Sequence, residues 1–129
     1  MRVAEFVVPR ASGDSEDGEV IVYYFGGGGG SVDANLQRWT SQFQSTKDPV
    51  RTTATVNGLK LTSLDVSGTY VAEMRPGSAE HYNKPGYRMR ATVVETPKGP
   101  YFIKLTGPAK TIDSAGAAFE QFLHSLAFK

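Results

Sequence analysis

A run of five glycines, Gly26 to Gly30, separates a strand-like segment from a helix-like one and is the first place where chemistry could sit. Free backbone N–H groups at the start of a helix attract anions, so a loop of this kind can cradle a phosphate. A phosphate loop also needs a Gly-Lys-Ser/Thr ending. Here the glycines lead into Ser31, Val32 and Asp33 without a lysine, and Asp33 would repel an anion. A G-x-G-x-x-G spacing can be read into any such run and carries almost no information. The run therefore reads as a strand-to-helix connector. Ser31 is placed to cap the helix through its hydroxyl, and Asp33 in the first turn complements the helix dipole.

Other titratable residues are scattered. His81 stands beside Glu80, a pairing more typical of a loop surface than of a metal site. His124 lies near the end of the last helical segment, off its apolar stripe, where a cation suits the dipole. A two-carboxylate hydrolase would draw on Asp65 and Glu73, candidates by elimination alone. Asp14, Glu16, Asp17 and Glu19 lack the spacing of a calcium loop. No G-x-S-x-G elbow occurs. There are no cysteines, which removes disulfides, zinc–thiolate sites and thiol catalysis. The expectation is therefore a protein without catalytic residues, metal or cofactor.

Aromatic and basic residues form the remaining group. Tyr70, Arg75, His81, Tyr82, Arg88 and Arg90 are the expected partner surface, with Tyr101 a further exposed aromatic. The partner would be another protein. Nucleic acid is not expected: 14 Lys and Arg against 13 Asp and Glu give a net charge of +1, with no basic face. The stretch Lys98–Leu105 superficially matches an RNA-binding sheet motif, but Pro100 and Tyr101 stand at the wrong places. Its aromatics read as sheet core.

The chain has 129 residues, 40% of them hydrophobic, which suits one domain spanning 1–129. Arg2–Val8 reads as a first strand and residues 10–19 as a solvated loop. Val20–Phe25 is β-branched and aromatic on both faces, as in a central strand. Val32, Leu36, Trp39 and Phe43 recur on one helical face, and Pro49 breaks the helix. Residues 51–56 and 59–66 flank Asn57-Gly58, the signal of a type I′ hairpin. The alternation slips near Ser63, which predicts a bulge. Residues 70–86 read as a long irregular connection of the kind that tends to be functional or disordered. A second hairpin joins residues 87–93 to 101–105 around residues 96–100, and Gly107-Pro108 stops it. A closing helix, capped by Thr111 or Asp113, carries Ala115, Phe119, Phe122 and Leu126. The fold class is α+β: a mainly antiparallel sheet of about six strands packed with two amphipathic helices.

The segment GPYFIKLTGPAKTIDSAGAAFEQFLHSLAF resembles the C-terminal part of the Mog1/PsbP-like superfamily. The carriers are Phe119, Phe122, Leu123, Ser125 and Leu126 in the closing helix, with Asn35, Leu36 and Trp39 in the earlier one. The resemblance spans about residues 20–128. It implies an α/β/α sandwich and a largely non-enzymatic accessory or binding role, and it also extends to bacterial proteins that are often exported. The aromatic–proline–Trp segment that usually opens these proteins is missing, and no functional residue of the family maps onto a matched motif. The N-terminus begins almost inside a strand and lacks the apolar core of a signal peptide. The expectation is a trimmed chain, exported through a leader upstream or anchored by it, or else a cytoplasmic one. No stretch is long and apolar enough to span a membrane.

Overall fold

The computed structural model describes residues 2–24, 26, 30–44, 46 and 49–127. Among them are seven strands and three helices: β1 (Arg2–Val8), β2 (Gly18–Tyr24), α1 (Val32–Ser41), β3 (Phe43–Gln44), β4 (Val50–Val56), β5 (Leu59–Tyr70), β6 (Lys84–Thr96), β7 (Gly99–Pro108), α2 (Ala109–Ser114) and α3 (Gly116–His124). All pairings are antiparallel, in the order β1-β2-β7-β6-β5. The far edge of β5 is shared. β4 pairs along Leu59–Asp65 and the short β3 pairs at Thr69 and Tyr70. The α+β class and the antiparallel sheet are as the sequence leads one to expect. β2 is second from the edge rather than central; β6 and β7 lie at the middle.

Helices cover both sheet faces. On one, α1 buries Leu36 and Trp39 together with Phe43, Leu64, Val66, Met89, Ala91, Val93 and Phe102. On the other, α2 and α3 bring Ile112, Phe119 and Leu123 onto Leu59, Leu61, Val94, Ile103 and Leu105. This two-sided covering explains the slip in β5. Leu59 and Leu61 point to the α2–α3 face, whereas Leu64 and Val66 point to the α1 face. The pairing with β6 runs unbroken from Lys60↔Glu95 to Gly68↔Tyr87, so there is no bulge at Ser63; the register shifts only between Gly68 and Tyr70. A strand covered on opposite faces at its two ends looks like a strand with a bulge when only its apolar pattern is read.

Turn and cap chemistry is mostly local. Asn57 and Gly58 both have positive φ, 48° and 78°, as a type I′ turn requires. Ser31 caps α1, its hydroxyl accepting from the Ala34 N–H at 3.1 Å. The helix ends at Ser41, well before Pro49, and Phe43 continues the apolar stripe from β3. β7 stops at Gly107-Pro108 as the sequence predicts; Pro108 is its last residue and directly precedes α2. At Gly107 the strands nearly touch, and an added Cβ would sit 2.7 Å from Gly18 Cα. Neither Thr111 nor Asp113 caps a helix. Thr111 is buried and accepts from the Ala11 N–H at 3.0 Å, pinning the loop after β1. The closing helix is two helices, broken at Ala115. Phe25 and Gly27–Gly29 lie outside the described residues, so the connector reading of the glycine run is carried only by its ends.

A candidate ligand cleft on the α1 face

On the α1 face, α1 stops short of part of β2 and β7, and an open cleft of about 840 Å³ lies there. Antiparallel pairing sets its floor. Glu19 opposes Thr106, Ile21 opposes Lys104 and Tyr23 opposes Phe102, so all six side chains share one face. The last turn of α1 and its C-cap contribute Arg38, Ser41 and Gln42 to the rim. The far wall comes from residues 71–83, between β5 and β6.

That connection is shorter and more ordered by hydrogen bonds than its sequence implies, because β5 runs to Tyr70 and β6 starts at Lys84. Glu73 and His81 pair as an isolated antiparallel bridge. The Tyr82 N–H donates to the Ala72 carbonyl at 2.9 Å and the Met74 N–H to the Glu80 carbonyl at 3.0 Å. The Val71 N–H donates to the Gln42 carbonyl at 2.7 Å, which ties the wall to the end of α1. A ladder of aromatic rings backs it. Tyr70 stacks on Tyr82 at 5.5 Å and on Tyr87 at 5.8 Å, and Phe43 leans on Tyr70 at 5.2 Å. Burial, with Tyr82 beside it, pushes the Tyr70 hydroxyl up to about 12, so it stays a neutral ring at physiological pH.

Lys104 is the unusual residue of the floor. It is partly buried beside the fully covered Phe102, and its Nζ donates to Gln42 Oε1 at 3.3 Å. Among the described residues, no carboxylate lies within ion-pair distance of it. Burial pushes its amine down to about 8, and Arg38 adds to the effect. The sequence alternation puts Lys104 on the same face as Phe102 and Thr106, so a signal was present. It is missed if a lysine in a strand is assumed to face solvent.

The expected partner surface divides. Tyr70, His81 and Tyr82 come together in the cleft wall. His81 Nδ1 is 2.8 Å from the Val71 carbonyl, an internal bond. Arg75 is exposed at the tip of the same segment. Arg88 and Arg90 do not join them. Even-numbered residues of β6 face α2 and α3, and both arginines are used there as ties. Arg88 grips Asp65 with two bonds, 2.8 and 2.5 Å, and reaches Asp113 of α2 at 2.5 Å. These carboxylates, Asp65 foremost, hold its guanidinium even more firmly protonated than usual. Arg90 pairs with Glu120 of α3 and lies 5.2 Å over the Phe119 ring. Replacing Arg88 with methionine should lower stability by about 1–3 kcal/mol, since it strands the half-buried Asp65. Asp113→Asn, at the exposed end, should cost no more than about 1 kcal/mol; thermal unfolding of the two variants side by side measures both.

The hydrolase candidates are not assembled. Asp65 is on the opposite face with Arg88, so of this pair only Glu73 lines the cleft. Among the described residues no three His, Asp or Glu side chains form a metal-binding group, and no helix is long and apolar enough to cross a membrane. His124 is exposed at the end of α3, its Nδ1 2.7 Å from the Glu120 carbonyl. Tyr101 is partly buried against the α2–α3 core and lies 4.6 Å from the Tyr24 ring. A smaller apolar groove runs between β1 and α3, where Phe6 and Phe122 meet Ala115 and Ala118.

No family model matches the chain, and no curated protein matches it in sequence. Among solved structures it is similar to PA94 from Pseudomonas aeruginosa, a protein of unknown function named as a candidate regulator. The two share 18% identity and a TM-score of 0.69, over 98% of this chain and 82% of that one. That likeness is one of fold.

Proposed function

We propose that the protein is a non-catalytic binding module of Mog1/PsbP-like type, and that its ligand occupies the cleft between α1, β2, β7 and residues 71–83. The observation that carries this reading is the cleft itself. Its volume of about 840 Å³ falls in the range of small-molecule sites, and it mixes aromatic walls with a few polar groups. A hydrolase reading built on Asp65 and Glu73 has less support, because these two carboxylates lie on opposite sides of the sheet. Self-association is a second reading, favoured by Phe6 and Val7 on the edge strand β1, which are 54% and 72% exposed. The test is a fragment screen followed by amide NMR. Binders should shift Tyr82, Lys104 and Arg38 together. Binders that cluster in the groove between β1 and α3, or none at all from a broad library, would contradict the cleft as the site.

A further inference from the structure

We propose that the cleft is built for an organic anion, a planar molecule whose carboxylate meets Lys104 and Arg38 while its apolar body lies along the tyrosine wall. This rests on the cleft being the binding site and adds the ligand's chemistry. An ammonium has three N–H donors, and the one hydrogen bond described for Lys104 goes to a neutral amide, Gln42. A cation taken out of water without a counter-ion is costly unless something supplies the charge. Here a bound carboxylate would supply it.

The neighbouring charges leave that role open. Arg38 on α1 and Arg2 on β1 both act on the amine with like sign. Glu19 on β2 acts with opposite sign but is not within ion-pair distance. The acidic residues before β2 are already engaged: Glu16 pairs with Lys84 at 3.0 Å and Asp17 with Arg10 at 3.2 Å. On the far wall Glu73 is exposed and the His81 ring is bonded to the Val71 carbonyl. The phenols of Tyr23 and Tyr70 both have their pKa values raised by burial, so neither adds charge near neutrality. Tyr82, the outer ring of the stack, lines the same cleft as Lys104 and offers a flat apolar surface.

Binding should then follow the protonation of Lys104. The free amine loses its proton near pH 8. A carboxylate prefers the charged form, so affinity should be steady below that pH and fall by roughly tenfold per unit above it. The experiment titrates the protein with 2-naphthoate and with its neutral counterpart 2-naphthamide, by calorimetry and amide NMR, at several pH values from 6.5 to 9.5. The expected result is that naphthoate binds at least tenfold tighter at pH 7, shifts Lys104 and Tyr82, and loses its advantage as pH rises. Lys104→Met should abolish the pH trend and cut the preference to the severalfold that Arg38 alone supplies; Arg38→Gln, an exposed change, should weaken naphthoate severalfold. Equal binding of the two compounds in the cleft would overturn the anion assignment and leave the binding module standing. Absence of cleft shifts with both compounds, alongside fragments bound elsewhere, would overturn both.

Discussion

Trp39→Ala will lower the stability of the protein by about 3–5 kcal/mol, the largest loss expected from any single side chain on the α1 face. Trp39 is 1% exposed and meets Phe102 edge-to-face, with ring centres 5.8 Å apart. It is the largest side chain that α1 buries. The cavity left by an indole is too large for its neighbours Leu36 and Phe43 to refill, and Phe43 already leans on Tyr70. Urea unfolding should show a lower midpoint with an unchanged slope. Since Phe102 is two residues from Lys104 on the same strand face, the variant should also loosen the cleft floor. A loss below about 1 kcal/mol would mean that α1 is not held by this side chain.

The second large effect has the opposite sign. Lys104→Met should make the protein more stable at pH 7, by about 1–2 kcal/mol once solvent at the cleft mouth is allowed for. The native state holds the Lys104 amine at about 8, below its ordinary value of 10.5. Below pH 8 both folded and unfolded chains carry the proton, and the folded chain bears the cost of the desolvated charge. Between about 8 and 10.5 the unfolded chain keeps the proton that the folded chain has released. Stability from this residue therefore rises with pH through that window. The advantage of the methionine variant should accordingly be full at pH 7 and shrink towards pH 10. Chemical denaturation of both proteins across that range measures it. A residue that lowers stability where the protein works is what a binding site looks like when function and stability compete.

The sequence was most informative where a single local cause decides the structure. Asn57-Gly58 takes positive φ at both positions, and Ser31 caps the helix it precedes. The apolar spacing around Trp39 marks the buried face of α1. It was least informative where coverage comes from afar. Periodicity tells which residues of a strand share a face, not what lies over that face. Arg88 and Arg90 alternate with buried residues and look exposed, yet α2 and α3 close over them and use their charges as ties. Lys104 looks equally exposed, yet the end of α1 and residues 71–83 enclose it. The apparent bulge at Ser63 has the same origin, since two helical layers cover opposite faces of one strand. The break at Ala115 has one local mark, the poor helix former Gly116 beside it, but a single glycine within a continuous apolar helical stripe does not announce two helices.

The proposed anion site depends on Lys104 being a cation held largely out of water on the cleft floor. The most direct measurement is its own titration, followed by NMR after reductive methylation of the lysines with 13C-labelled formaldehyde and assignment through Lys104→Met. One lysine should titrate near 8, well apart from the rest, and move upward when 2-naphthoate is added. A Lys104 that titrates with the other lysines near its ordinary 10.5 would show a solvated amine and rule out a desolvated cation on the cleft floor.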